Sequence, residues 1–151
     1  MLDLVIIGGG AAALSAALYA ARAGLSVTVY EKADFGGILP QIPQLENYPG
    51  FSGPGKDLAD AMRMQAAAAG AQLKYGECTN LVREQDSFQL TIDEERIYAR
   101  TVLAATGSQP RALSFATSVP VSYCALCDGP LVKGKNVAVI GGANSAAQEA
   151  L

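Results

Sequence analysis

The chain has no histidine and no tryptophan, and only three cysteines among its 151 residues. Without histidine, the usual proton carrier near neutral pH and the commonest metal ligand are both missing. A four-ligand zinc site would have to recruit carboxylates beside the few thiols, which argues against a metal centre. Charge is sparse as well, at 17% of residues with a net value of −3, so no basic footprint invites nucleic acid. Gly, Arg or Asp interrupts the longer apolar stretches, and none reaches the roughly 20 residues of a membrane span. Met1-Leu2-Asp3 lacks the basic start of a secretory leader. These absences predict a cytoplasmic protein with neither a membrane nor a nucleic acid partner. In that reducing compartment, paired cysteines are more often redox-active or ligating than structural.

What is present points to an α/β protein with one ordinary core: half of the residues are hydrophobic and 16 are glycine. Leu4–Ile7 is a short apolar run ended by glycine, as expected for a strand buried on both faces. The alanine-rich stretch 11–23 predicts a helix closed by Gly24, and Ser26–Tyr30 predicts a second, parallel strand. Residues 34–55, with four prolines and five glycines, predict a long ordered loop. Lys56–Ala69 predicts a second helix, followed by a third parallel strand at Leu73–Tyr75. Cys78–Glu84, Ser87–Asp93 and Arg96–Arg100 predict an antiparallel meander of three short strands, and Thr101–Ala105 a further apolar strand. Pro110 and Pro120 bracket the best candidate boundary, after which Asn136–Ile140 predicts a strand and Asn144–Leu151 a helix.

Three motifs carry the chemistry. Gly8-x-Gly10-x-x-Ala13 joins a strand to a helix. Its first glycine allows the tight turn, its second allows backbone to approach a pyrophosphate, and Ala13 permits close helix–strand packing. The helix start adds free N–H groups and a positive dipole end. Glu31 stands at the end of the second strand, 18 residues after Ala13, where a carboxylate accepts bonds from a ribose with a free 2′-hydroxyl, as in FAD or NAD. The second motif is Cys124-Ala125-Leu126-Cys127, followed by Asp128. An i, i+3 spacing at a helix start brings two thiols within reach of a disulfide, and the helix dipole stabilises a thiolate. Asp128 is the nearest acid or base for a leaving thiol. The plainer alternative makes the cysteines small core residues and Asp128 a turn residue before Gly129-Pro130. Cys78, isolated in a strand, is read as packing. The third motif, Val137–Ile140 followed by Gly141-Gly142-Ala143-Asn144, again predicts strand, turn and helix, although the methyl of Ala143 would crowd a pyrophosphate. The order of nucleotide turn, dithiol and nucleotide turn suggests electrons passed between a bound nucleotide and a disulfide.

In order and spacing these segments resemble the low-molecular-weight thioredoxin reductases, a class of pyridine nucleotide-disulfide oxidoreductase, over nearly the whole chain. The matching stretches are Val5–Ala13, Gly36-Gly37, Glu46–Phe51, Ala105-Thr106-Gly107, Ser122–Gly129 and Val137–Gly142. The resemblance implies an FAD-binding Rossmann-like parallel sheet with an antiparallel meander over residues 1–112. Residues 113–151 would be the start of a second, NAD(P)H-binding Rossmann-like domain that carries the CxxC. It implies that Gly8, Gly10, Ala13, Glu31, Lys32, Gly36, Gly37, Asn47, Thr106 and Gly107 line the FAD site, and that Gly141, Gly142 and Asn144 belong to an NADPH site. By the same resemblance Cys127 faces the flavin, Cys124 attacks the partner's disulfide, and Asp128 donates and accepts the proton. Electrons would run from NADPH through FAD to the Cys124–Cys127 disulfide and on to thioredoxin or a similar disulfide protein, in a homodimer of the full-length protein.

Two residues depart from the family pattern. Ile38 stands where the family places glutamine, removing a polar contact to flavin, and Ala143 weakens the second nucleotide site, which leaves room for another electron donor. The family's 2′-phosphate motif and its late flavin-contacting segment fall outside residues 1–151, so the resemblance implies an N-terminal portion of a polypeptide about twice as long. It further implies an open apolar edge beside Thr101–Ala105. Alternatives within reach of the same motifs are a peroxiredoxin reductase, a flavoprotein dithiol oxidase, and a non-catalytic nucleotide-binding fragment.

Overall fold

The computed structural model describes residues 1–109, 113–114, 118–123 and 125–150. The chain divides into two compact units, Met1–Ser108 and Gln109–Leu151. The first is α/β. Its strands are β1 (Leu2–Ile7), β2 (Val27–Glu31), β3 (Leu45–Tyr48), β4 (Phe51–Gly53), β5 (Gln72–Tyr75), β6 (Cys78–Arg83), β7 (Phe88–Ile92) and β8 (Glu95–Ala104), and its helices are α1 (Ala11–Arg22) and α2 (Gly55–Ala68). A six-stranded sheet runs in the order β5-β2-β1-β8-β7-β6, and β3 and β4 form a separate two-stranded sheet. The first four strands of that order are mutually parallel, while β7 and β6 are antiparallel.

Alternation along the strands sorts the apolar residues onto two faces. On one face Ile6, Val27 and Val29 pack with Ala13, Leu14 and Ala17 of α1 and Ala66 of α2. On the other, Val5 and Tyr30 pack with Leu90, Ile92 and Ala99. Residues of β2 and β7 meet although two strands separate them in the sheet order. The antiparallel end therefore curls back over the face that the helices leave uncovered.

α1 is closed by a Schellman turn. Gly24, at φ +81, donates to Ala21 and Leu25 donates to Ala20 at 2.9 and 3.2 Å. At the same end of the sheet Asp3 and Ser26 tie the entries of β1 and β2 together. The Ser26 hydroxyl donates to Asp3 Oδ2 at 2.6 Å, the Ser26 N–H donates to the same oxygen at 3.0 Å, and the Asp3 N–H donates to Ser26 Oγ at 2.9 Å. The hydrogen bonds from Ser26, with a smaller contribution from Arg100, hold the Asp3 carboxyl below the ordinary value of 3.8. A carboxyl with a depressed folded-state pKa adds stability above the unfolded value and loses it as pH falls through the folded one. Asp3→Asn is therefore expected to be less stable than the parent at pH 7 and to converge with it in acid below the ordinary carboxylate range. Urea midpoints taken across that range check the outcome, and a constant gap at all pH values would refute it.

The structure departs from the sequence expectation in three places. β8 is a single ten-residue strand, where two strands were expected at Arg96–Arg100 and Thr101–Ala105. Arg100 and Thr101 are adjacent and neither is a turn former, so one strand serves both pairings. Its start is antiparallel to β7 and its end is parallel to β1. Among the described residues, the registers leave Thr101–Ala104 paired only to β1, consistent with the expected open edge. Second, the 34–55 segment is not all loop: it contains a short 3-10 turn at Leu39–Gln41 and the β3–β4 pair.

Third, Asn136–Ile140, expected as a strand, has no strand pairing. The described residues of the second unit contain no strand to pair with it. Val137 and Ile140 accordingly remain largely exposed. That unit contains α3 (Ala125–Asp128), a 3-10 turn at Gly129–Val132, and α4 (Asn144–Ala150). No helix among the described residues is long and apolar enough to cross a membrane.

Candidate functional site

Three loops leave the carboxyl ends of adjacent parallel strands: Gly8–Gly10 from β1, residues 32–38 from β2, and Ala105–Gly107 from β8. This is the edge of an α/β sheet at which ligands collect. The β1 turn is locked to both neighbours. The Gly8 N–H donates to the Tyr30 carbonyl and the Ala105 N–H to the Ile7 carbonyl, each at 2.8 Å. Gly8 has φ +99, and a Cβ there would run into the carbonyl oxygen of Ala105.

The glycines of the two loops lie back to back. The Gly36 N–H donates to the Gly9 carbonyl at 2.8 Å, Gly10 bridges Gly36, and a Cβ on Gly37 would come within 3.1 Å of the Gly10 Cα. A Cβ on Gly10 itself meets nothing closer than 3.8 Å, so space is open over the start of α1. That helix start has no side-chain cap and no acidic residue in its first turn. Its N–H groups are therefore available to an anion, and this cradle of bare backbone fits a pyrophosphate.

Glu31 supplies the acid, but within the protein it already works as a brace. One carboxylate oxygen accepts from the Gly9 N–H at 2.5 Å and the other from the Ala33 N–H at 2.8 Å. Lys32 lies at the surface and pairs with Glu77 at 3.3 Å. Asn47 sits exposed on β3, and Thr106 and Gly107 are exposed just beyond β8. Ala13 is fully buried in the helix–sheet core, so it shapes the turn by packing and offers no surface to a ligand.

Sequence reasoning passed over Gly9 and Phe35. A Cβ at Gly9 would lie 2.7 Å from Phe35 Cδ1 and 2.8 Å from Glu31 Cβ. The third glycine in the run was the available signal, since the motif leaves that position free. Two clefts of about 290 and 320 Å³ lie beside Phe35, Arg63 and Tyr75 and are lined by none of the expected site residues.

In the second unit, Cys124 lies outside the described residues, and Cys127 is placed as backbone within α3. Asp128 accepts a hydrogen bond from the Ser122 hydroxyl at 2.6 Å, and the Tyr123 hydroxyl accepts from the Leu113 N–H at 3.3 Å. Gly141 precedes Gly142 and the start of α4 at Asn144. A Cβ at Gly141 would come within 2.9 Å of Ala146 Cβ, whereas one at Gly142 would meet nothing within 4 Å. Cys78 is partly buried in β6, and that burial pushes its thiol up, away from reactivity and in keeping with a packing role.

Residues 2–151 match the family model for pyridine nucleotide-disulphide oxidoreductases. The chain is 42% identical over 156 residues to the thioredoxin reductase of Treponema pallidum (strain Nichols), covering 99% of this chain and 51% of that protein. Among solved structures, Lactococcus lactis thioredoxin reductase in its FR conformation superposes with a TM-score of 0.89 at 31% identity, over 99% of this chain and 52% of the other. T. acidophilum thioredoxin reductase gives 0.82 at 38% identity, over 99% and 51%. The chain thus spans about half the length of the relatives it matches.

Proposed function

The chain belongs to the pyridine nucleotide-disulphide oxidoreductase family, and on that premise we propose that it supplies the flavin-binding half and the redox dithiol of a thioredoxin reductase. Residues 1–112 hold FAD, and residues 113–151 open the NAD(P)H-binding domain with its CxxC. The observation that carries this reading is the mutual closure of Gly8–Gly10 and Gly36–Gly37 into a side-chain-free cradle over an uncapped helix start.

The backbone N–H groups of α1 would hold the pyrophosphate, Glu31 and Lys32 the ribose, and Gly36, Gly37, Asn47, Thr106 and Gly107 the remainder of the cofactor. When bound, FAD supplies two-electron chemistry between a reduced nicotinamide and a disulfide. Gly141, Gly142 and Asn144 would hold the nicotinamide dinucleotide, NADPH by family resemblance. The protein's own thiols carry out the last exchange. The Cys124 thiolate attacks one sulfur of the partner's disulfide, and that S–S bond breaks as the mixed disulfide forms. Cys127 then gives up its proton to Asp128, and its thiolate displaces the partner from Cys124. The dithiol loses two electrons, and the partner leaves as two thiols. Thioredoxin, or a protein with an equivalent exposed disulfide, is the partner, and the full-length protein works as a homodimer.

The visible spectrum of the 151-residue chain, incubated with FAD and then desalted, tests this reading. Close to one flavin per chain is expected. A colourless product would refute the claim that these residues build the site.

A further inference from the structure

We propose that Ser122 is a positioning residue for the dithiol, acting by holding the Asp128 carboxylate in place across the CxxC segment. The inference rests on the redox role proposed above for Cys124 and Cys127. The Ser122 hydroxyl donates to Asp128 Oδ2 at 2.6 Å, the short distance of a hydrogen bond to a carboxylate. The two residues bracket the motif in sequence, so their bond closes residues 122–128, both cysteines included, into one ring.

The conformation of Asp128 makes the bond informative. Asp128 occupies the N-cap position of the 3-10 turn Gly129–Val132, yet no side-chain cap bond is made there. An aspartate at such a position ordinarily turns its carboxylate onto the backbone N–H groups that follow. Here the carboxylate instead accepts from Ser122, six residues earlier in the chain. A turn-forming aspartate has no need of that bond. An aspartate that must accept a proton from one thiol and return it to another gains from it, because one of its oxygens is fixed. Proton transfer depends steeply on placement, and an error on the order of 1 Å can cost about a hundredfold.

The chain's own dithiol can be assayed without any cofactor. The reduced 151-residue chain is mixed with oxidised glutathione, and the conversion of Cys124 and Cys127 to their disulfide is followed by alkylation and peptide mass, which reads them apart from Cys78. Ser122→Ala is expected to slow that conversion by about tenfold, with Asp128→Asn slowing it at least as much. Ser122→Thr, which keeps the hydroxyl, is expected to restore the rate, and the Ser122→Ala/Asp128→Asn double variant to be no slower than Asp128→Asn alone. Urea midpoints of the single variants are expected to match the parent.

A parental rate in Ser122→Ala with a slow Asp128→Asn would overturn the role of Ser122 and leave the redox reading standing. A lowered midpoint that parallels the lost rate would overturn it too, by making Ser122 merely structural. A parental rate in Asp128→Asn would remove the proton carrier and the inference together. Thiols that never pair would refute the redox reading itself.

Discussion

Gly8→Ala is expected to cost the first unit about 3 kcal/mol of stability and to abolish flavin retention. The residue has φ +99, and its new Cβ would overlap the carbonyl oxygen of Ala105 and lie 2.9 Å from the Ala105 carbon and 3.1 Å from the Thr106 Cα. Those atoms are backbone at the end of β8, held by the Ala105 N–H bond to Ile7, so they cannot swing aside as a side chain would. A left-handed alanine costs about 1–2 kcal/mol and the collision about 1–3 more, a large part of the roughly 5–15 kcal/mol that holds a domain folded. Gly10→Ala is the contrasting case. Gly10 has φ −76, which any residue adopts, and its Cβ would meet nothing closer than 3.8 Å. That variant is expected to unfold at the parental urea concentration and still to lose flavin, because the methyl fills the cradle. Equal retention of flavin by parent and Gly10→Ala would mean that the pyrophosphate does not lie there.

Much of this architecture is legible in the sequence because short-range rules dominate it. β1 and β2 are apolar runs, α1 is alanine-rich, and Gly24 and Gly70 close the two helices. The misreadings all turn on strand pairing, which composition along the chain does not report. Arg96–Ala104 looks like two strands because its first half alternates as a meander strand and its second half is apolar. Only the two pairings, to β7 and to β1, explain both patterns in one element. Asn136–Ile140 has a strand's composition, but composition without a neighbouring strand does not make a ladder. The Leu45–Tyr48 and Phe51–Gly53 strands were hidden among prolines and glycines because they pair only with each other.

The site divides in the same way. Gly8, Gly10 and Glu31 announce themselves by spacing, and the structure brings them together at the carboxyl ends of β1 and β2. Gly36 and Gly37 were found through resemblance, and their physical reason emerges only in three dimensions, where they abut Gly10. Ala13 proves to be a packing residue, as its smallness foretold. The Ser122–Asp128 bond leaves no trace in any spacing rule, because a serine six residues from an aspartate is ordinary.

Glu31→Gln is expected to destabilise the first unit by about 2–3 kcal/mol before any cofactor is added. Both carboxylate oxygens accept backbone N–H groups, from Gly9 and from Ala33. Glutamine keeps the length but replaces one oxygen with an NH₂ that can only donate. One of the two N–H groups then faces another donor, and the surviving bond loses its charge. A bond to a charged group contributes about 1.5–3 kcal/mol, and an unsatisfied partly buried donor costs about 1–3. The Gly9 N–H lies in the middle of the turn, so the damage falls on the cradle itself. If Glu31 served only to hold a ribose, the cofactor-free variant would unfold at the parental urea concentration and differ only in flavin affinity. A brace requires the loss of stability to appear without flavin. Both roles can coexist, since a carboxylate offers about four lone-pair positions and the two N–H groups use two. On the proposed reading the same side chain sets the shape of the turn first and would meet the nucleotide second, so flavin loss in this variant should track the urea midpoint of the cofactor-free chain.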